Sequence, residues 1–503
     1  MFVAQNLGEA VASDAVAELV DLSGTEPLTI TFAEFDLAAS ALARRLATAH
    51  APGERIGLLG ENSARWAVTL YAIMRAGLTA VPISYRQPAP AVEFVVLDAG
   101  LAAVFAESAY TSLLPDVAVV HPIEDVELHP ETKAQNGAAG TSGTVDVDIE
   151  DPAMILYTSG STGRPKGVVL SHRSHLWVVS LGIESDSISS RLLLSAPLYH
   201  MGALSPLQRA LATGQSVVLL PRFRSRDVLD AIASQRITDL NMVPPMAAML
   251  LQDQEQLRRT DLTSVRAVIL NSAPAGKDLL QELDRVFHQP SFVFTYGTTE
   301  SSPIAFTAPK DGREVPFGSV GVPHDAVEMR LVDSHGTVSH DQGVLEIRSR
   351  GLMTGYHRRP EIPSPISEDG FYHTKDLFRR DAEGFYYCLG REDDMFICGG
   401  ENLYPRAIEL VLESHVAVSQ AAVVAVDDAV KGKKPVAFVA LVPGQTVDEA
   451  ALRAYSLTQL EPAAHPRRIW FVDELPLSST NKVDKAPLAR LAAEHIHGLD
   501  EVS

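Results

Sequence analysis

The apolar run Ala153-Met154-Ile155-Leu156 passes without a break into Tyr157-Thr158-Ser159-Gly160-Ser161-Thr162-Gly163-Arg164-Pro165-Lys166-Gly167. A buried strand that ends in a hydroxyl- and glycine-rich loop with a lysine is a phosphate cradle. Gly160 and Gly163 let the backbone turn and present N–H groups to an anion, Thr158, Ser159, Ser161 and Thr162 add hydroxyl donors, and Lys166 adds a point charge. The run is not a Walker-type loop, which needs Gly-x-x-x-x-Gly-Lys-Ser/Thr. Pro165 precedes the lysine here and Gly167 follows it, so no hydroxyl stands where that loop holds its metal. A Ser/Gly linker would share the composition, but a lone Pro-Lys-Gly between a strand and an amphipathic stretch argues against one.

Around this run the chain alternates short apolar segments with amphipathic ones. Arg55 to Leu59, then Ser63 to Gly77, then Leu78 to Pro82 read as strand, helix, strand. Ser216 to Leu220, Asp239 to Val243, Ala267 to Leu270 and Phe292 to Thr295 read as short buried strands between helices, whose C-terminal ends are where open α/β sheets bind ligands. Residues 127–150 lose their large apolar side chains and read as a surface connection. From Gly321 the pattern shifts to shorter alternating strands, Glu328 to Val332 and Gly343 to Ser349, as in an antiparallel sheet. A smaller unit begins after Arg391, with a βαβ-like pattern: Arg406 to Glu413 helical, Ala421 to Val426 and Val436 to Val442 extended, and a last helix near Ala486 to His495. The expected fold class is α/β: a large N-terminal region of two α/β sheets plus a β-rich subdomain, and a small α+β C-terminal domain.

Forty-two Lys and Arg against 63 Asp and Glu give a net charge of −21, which disfavours nucleic acid or an anionic membrane as partner and leaves anion binding to local basic patches. Two cysteines, Cys388 and Cys398, exclude a disulfide framework and lack zinc-like spacing. No apolar segment is long enough to span a membrane, and the N-terminus lacks the pattern of a secretion signal, so the expected location is cytoplasmic.

The loop at 157–167 closely resembles the phosphate-binding signature of the adenylate-forming superfamily: acyl-CoA synthetases, adenylation domains and luciferases. Further motifs follow in the family's order. Tyr296-Gly297-Thr298-Thr299-Glu300 is similar to the second nucleotide motif, Tyr372-His373-Thr374-Lys375-Asp376 to the ribose motif, Gly390-Arg391-Glu392-Asp393 to the hinge, and Ser479-Thr480-Asn481-Lys482 to the C-terminal catalytic lysine segment. In detail the motifs are most like those of aryl carboxylate–CoA ligases of the 4-chlorobenzoate type. Glycine usually precedes the ribose aspartate in the family, whereas Lys375 stands there in this chain.

The resemblance implies an N-terminal AMP-binding domain over 1–391, a hinge at 392–394 centred on Asp393, and a mobile catalytic lid over 395–503. It implies ATP, magnesium (Mg2+) and coenzyme A (CoA) as cofactors and co-substrates. Glu300 would ligate magnesium; a solvated loop glutamate is the plainer reading of that residue alone. Asp376 would accept hydrogen bonds from the ribose and Arg391 would contact ribose or phosphate. Lys482 would bridge the carboxylate and the α-phosphate during adenylation, with Lys485 as the rival assignment. His200 would stand beside the reacting carboxylate, and Gly399 and Gly400 would let the backbone pass close to a pantetheine arm; a simple turn is compatible with the same two residues. His200, Asn241, Ala273, Thr295, Gly297 and Ser302 are the implied acyl-pocket positions. The polar members favour an acid bearing a hydroxyl, amino or second carbonyl group over a plain alkyl chain.

Lys431, Lys433 and Lys434, with Arg467 and Arg468, form two basic clusters suited to the phosphates of CoA, and Arg86 matches a CoA-phosphate arginine of benzoate-type ligases. A solvated basic face is the alternative. The expected activity is therefore an acid–thiol ligase acting on a small carboxylic acid, with a homodimer left open. A stand-alone adenylation enzyme that loads a carrier protein or an amine is the second reading. Retention of Lys166, Glu300, Asp376, Arg391 and Lys482 together argues against a non-catalytic sensor.

Overall fold

The computed structural model describes residues 6–12, 16–116, 118–130, 144–158, 165–181, 190–271, 277–302, 305–316, 318–333, 335–428, 430–442, 444–477 and 483–500. Two seven-stranded sheets form the large region. In the first the order is Gly355–Tyr356, Lys166–Ser171, Pro152–Thr158, Thr79–Ile83, Arg55–Leu59, Ala103–Ala106, Val120–Pro122. It is parallel from Pro152–Thr158 outward, and the last two strands on the other side run antiparallel. The second sheet runs Ser291–Thr295, Ala267–Asn271, Asp239–Met242, Arg191–Leu194, Ser216–Leu219, Glu18–Asp21, Leu28–Thr31, parallel except for the terminal hairpin.

Strands buried on both faces read as continuous apolar runs, as in Leu192-Leu193-Leu194 and Val217-Val218-Leu219. Helices fill the space between the sheets. Ala64–Arg75 is buried at every position but Arg65, and shares one core with residues of both sheets, among them Leu58, Met154, Leu194 and Val217. A capping box starts helix Phe32–Ala49: the Glu34 N–H donates to Thr31 Oγ1 and the Thr31 N–H to Glu34 Oε2. Gly214, at φ 78°, ends helix Met201–Thr213.

A five-stranded antiparallel sheet follows, in the order Val338–Ser339, Glu328–Val332, Gln342–Arg348, Tyr372–Arg380, Tyr386–Arg391. The C-terminal unit has its own five strands and its own cores. There the structure refines the expected βαβ pattern. Val418–Asp428 and Gly432–Leu441 are an antiparallel hairpin with no helix between them. The βαβ crossover comes one step later, from Gly432–Leu441 through helix Glu449–Gln459 to the parallel strand Ile469–Val472. Length decides this: the turn around Lys431 is too short for a crossover, which takes a dozen residues or more.

In that unit Arg406, on helix Pro405–Glu413, reaches Glu409 at 3.3 Å and Glu413 at 2.8 Å, and Lys485 reaches the other oxygen of Glu409 at 2.6 Å. Glu409 is buried, so removing the guanidinium strands carboxylates away from water. Arg406→Met is expected to destabilise the C-terminal unit by roughly 3 kcal/mol in denaturant unfolding; a change well under 1 kcal/mol would show the network to be dispensable.

Candidate active site

Thr158 ends its strand and pairs with Lys166, which opens the next, so the phosphate-loop lysine stands in a strand rather than in the loop itself. Tyr356 comes from the strand added beyond it, held by register with Val168 and by the His357 N–H on the Gly167 carbonyl at 2.8 Å. A side chain at Gly167 would strike Ile155, Tyr157 and His357, which explains the glycine after the lysine. The Lys166 ammonium lies 5.5 Å from the centre of the Tyr356 ring, and the Tyr356 hydroxyl donates to Glu300 Oε1 at 3.1 Å. Burial, then the Glu300 carboxylate, raises the Tyr356 phenol so that it stays a donor. The Met353 N–H donates to the Glu300 carbonyl at 2.8 Å and fixes the loop that carries it. One tyrosine thus holds a cation and a carboxylate at the same mouth.

Tyr296 follows strand Ser291–Thr295 and donates its hydroxyl to Asp376 Oδ2 at 2.5 Å; Arg391 Nη1 donates to Asp376 Oδ1 at 3.0 Å. Asp376 is 6% exposed, and its N–H rests on Thr374 Oγ1, which donates onward to the Leu345 carbonyl. Burial, then Asp376 itself, pushes the Tyr296 phenol well above its usual range. Tyr372 is buried, and burial comes first in raising its phenol, followed by the charge of Glu300, with Tyr356 and Asp376 adding to it. Thr298 is bound up with Ser301 through 3.1–3.2 Å contacts, Thr299 is half-buried and Gly297 exposed.

Asn241, 3% exposed, accepts from Asn271 Nδ2 at 3.2 Å, and its own Nδ2 has no partner among the described residues. Asn271 pairs in register with Thr295 on the neighbouring strand. His200 sits at the start of helix Met201–Thr213, edge-on to Tyr199 at 4.5 Å. From there the rings continue through Tyr85 (5.5 Å) to Tyr110 (4.9 Å), whose hydroxyl donates to Glu61 at 2.7 Å. The Arg86 guanidinium lies 5.8 Å from the Tyr85 ring, so His200 and Arg86 are linked by one aromatic series. Ser302 is fully buried at φ 66° and spends its hydroxyl on the Gly351 carbonyl at 2.7 Å, bracing the loop. Ala273, Ser159, Gly160, Ser161, Thr162, Gly163 and Lys482 lie outside the described residues.

Gly399 (φ 61°) and Gly400 (φ 94°) form a two-residue hairpin turn between Phe396–Cys398 and Glu401–Leu403, a geometry that selects glycine. The Gly399 N–H donates to the Lys431 carbonyl at 2.9 Å. Burial and then Arg467, Arg453 and Lys431 lower the pKa of His465, so three cations of separate elements crowd one imidazole near this turn. Of the other basic residues Lys434 pairs with Asp428 at 3.1 Å, and Arg468 lies 3.8 Å from Glu449. Lys485, the rival for the catalytic lysine, is tied to Glu409. Neither cysteine is a nucleophile: burial pushes the Cys388 thiol up to about 12, and Cys398 is fully buried.

The sequence reading missed Tyr356, Asn271, Tyr85 and Tyr110. Tyr85 adjoins Arg86 and Tyr356 precedes a basic run, but their ring contacts are made across sheets and leave no periodic trace.

With this geometry in place, comparison with known proteins gives the class. The AMP-binding enzyme family model matches residues 9–357, and the AMP-binding enzyme C-terminal domain model matches 407–482. The chain belongs to this family of adenylate-forming enzymes. It is 30% identical over 478 residues to a feruloyl-CoA synthase of Amycolatopsis sp, covering 92% of this chain and 94% of that protein. It is 32% identical over 464 residues to a 2-succinylbenzoate–CoA ligase of Bacillus pumilus, covering 90% and 92%. ATP-bound MatB from Rhodopseudomonas palustris overlays with a TM-score of 0.82 at 29% identity, covering 97% of this chain and 98% of that one; apo MatB, at 28% and the same coverage, overlays at 0.76.

Asp376 is the carboxylate on which both Tyr296 and Arg391 converge. Asp376→Asn keeps the shape but loses the charge that Arg391 and Tyr296 meet. ATP affinity by calorimetry is expected to fall about ten- to hundredfold, the scale of one charged hydrogen bond; unchanged affinity would remove Asp376 from nucleotide binding.

Proposed function

We propose that this protein is an ATP-dependent carboxylate–CoA ligase for an aromatic or polar-substituted acid, working in the cytoplasm. A carboxylate oxygen of the acid attacks the α-phosphorus of ATP and pyrophosphate leaves; the CoA thiol, giving up its proton, then attacks the acyl carbon and AMP leaves. The observation that carries the reading is the convergence of Lys166, Tyr356 and Glu300 with Tyr296, Asp376 and Arg391. A cation suited to phosphate and a carboxylate suited to a ribose belong to groups joined by the segment Tyr296–Glu300, which carries a residue of each.

In this reading Thr158, the loop 159–163 and Lys166 receive the phosphates, and Asp376 and Arg391 hold the ribose. Glu300 fits magnesium, which usually takes one or two protein carboxylates beside the phosphates, and the metal would neutralise phosphate charge there. Lys482 stabilises the charge shared by the carboxylate and the α-phosphate. It is delivered by the C-terminal domain, 395–503, turning about Asp393 against the AMP-binding domain, 1–391. Lys485 is occupied by Glu409, which favours Lys482 for that role. His200 lies beside the carboxylate, and the Gly399–Gly400 turn, with Lys431 and Arg467 near it, suits a pantetheine arm and its phosphates; Arg86 is a second phosphate contact. The partnerless Asn241 Nδ2 favours an acid with its own hydrogen-bond acceptor, since a buried donor left unpaired is costly.

The test is incubation with ATP, magnesium and a panel of aromatic, hydroxylated and aliphatic acids, with and without CoA, read by mass spectrometry. A CoA thioester of a polar or aromatic acid is expected. Acyl-AMP that accumulates without consuming CoA would transfer the assignment to a carrier-protein or amine acceptor, and no adenylate with any acid would overturn it. Asn241→Leu is expected to lower kcat/KM for the preferred acid about ten- to hundredfold while sparing a plain aliphatic acid. Lys482→Ala should abolish adenylate formation yet leave thioester formation from pre-made acyl-AMP; equal loss of both would refute that division.

A further inference from the structure

Six residues whose side chains do not belong to glycine have a positive φ among the described residues, and one of them is Lys375 at 64°. It lies in a bulge. Strand Gln342–Arg348 pairs Val344 with Leu377 and Glu346 with His373, so Leu345 alone faces the three residues Thr374, Lys375 and Asp376. Bulges of this kind place a left-handed residue where glycine is cheapest. The bulge turns Asp376 inward to Tyr296 and Arg391, and it turns Lys375 the other way.

Lys375 Nζ lies 3.1 and 3.2 Å from the two oxygens of Asp393, and Arg391 Nη2 lies 3.9 Å from one of them. Two residues earlier, His373 meets Glu346 through Nδ1 at 3.1 Å and Glu392 through Nε2 at 3.2 Å. Glu392 and Asp393 belong to the single helical turn Glu392–Asp394 that joins the large region to the C-terminal unit. Both are therefore tied to the same bulged segment that carries Asp376. Rotation of the backbone at this turn cannot proceed with the Lys375–Asp393 pair intact.

We propose that Lys375 is a positioning residue, a latch that holds Asp393 so that the C-terminal unit stays in its ATP-facing pose, favouring adenylation over thioester formation. The inference rests on the ligase reading above. Which half-reaction the held pose serves is read from the two rates measured below, and adenylation is the one expected. Lys375 and Asp393 are 44% and 33% exposed, so the pair is a weak one. Weakness suits a latch: two poses that must both be visited in each turnover can differ by only a small factor.

The experiment compares wild type with Lys375→Gly, Lys375→Arg, Lys375→Asp and the charge-exchanged pair Lys375→Asp/Asp393→Lys. Three quantities are measured: ATP–pyrophosphate exchange with the acid found in the panel, AMP release from that acid's pre-made adenylate plus CoA, and hydrogen–deuterium exchange of residues 388–400 in the substrate-free enzyme. For Lys375→Gly, adenylation is expected to fall about two- to fivefold while the thioester step holds or rises. Exchange over 388–400 should quicken, and Tm should hold or rise because glycine accepts the backbone conformation without strain. Lys375→Arg should stay near wild type, and the charge-exchanged pair should recover most of what Lys375→Asp alone loses. An unchanged ratio of the two half-reactions with unchanged exchange over 388–400 would overturn the latch. So would a rise in KM for ATP with both half-reactions falling together, which would make Lys375 a nucleotide contact. If wild type itself forms no thioester, the ligase reading fails, and the exchange measurement still decides the latch.

Discussion

The Asp376 carboxylate is the junction on which the arrangement depends. One oxygen takes the hydroxyl of Tyr296, which follows the edge strand of the second parallel sheet, and the other takes Arg391, the last residue of the antiparallel sheet before the connecting turn. Asp376 and Arg391 are partners in the antiparallel ladder, whereas Tyr296 shares no strand pairing with either, so one buried acid ties that sheet to the end of the parallel one. The aromatic packing around it has the same logic: Tyr296, Phe306 and Phe378 meet with centroids 4.9–5.7 Å apart, so the acid is held by rigid rings instead of flexible stems. A carboxylate placed this way cannot drift without unpacking the seam between the sheets.

The phosphate end is built differently. Lys166 and Glu300 come from opposite sides of the site and meet only through Tyr356, a residue of a two-residue edge strand. A direct Lys–Glu ion pair would satisfy both charges and leave neither for a ligand. A neutral ring placed between them gives the ammonium a weak partner and the carboxylate a weak donor, so in the proposed reading both keep capacity for phosphate and metal. The Asp376 end is preorganised by strong contacts and the Lys166–Glu300 end by weak ones, which suits the proposed need to hold the nucleoside still while pyrophosphate departs.

Much of this was legible in the sequence, and the reasons are physical. Parallel strands buried on both faces leave continuous apolar runs, so Ser216 to Leu220 and Asp239 to Val243 stood out, and the structure bounds them at Ser216–Leu219 and Asp239–Met242. Glycine where φ must be positive is equally visible: Gly399-Gly400 proved to be a hairpin turn. The C-terminal hairpin was read as βαβ because two apolar runs of similar length carry no sign of their relative direction. Tyr356, Asn271 and the Tyr85–Tyr110 stack were missed because their meaning lies in who faces them across a sheet. The resemblance implies Ser302 as a pocket position, and the structure adds that at φ 66° its hydroxyl is aimed at the Gly351 carbonyl, a direction that only the backbone reveals.

The charge balance explains why so many cations near the site are partnered. A chain carrying −21 repels polyanions at a distance, so attraction must come from contact groups whose direction is already fixed. Arg391 is aimed by Asp376, Lys375 by Asp393 and Arg406 by Glu409 and Glu413, so local carboxylates set the geometry of the basic groups along one stretch of chain. Buried acids hold Arg391 and Arg406 firmly, whereas the Lys375–Asp393 pair is exposed and weak. At the connecting turn this has a mechanical side: Glu392, Asp393 and Asp394 are consecutive like charges that repel one another unless a cation compensates them. Lys375 brings such a charge to Asp393 from the bulged strand, and His373 meets Glu392 through a hydrogen bond. A turn built of mutually repelling residues and held by exposed partners is easily rearranged, which is the property that the proposed rotation between two poses requires.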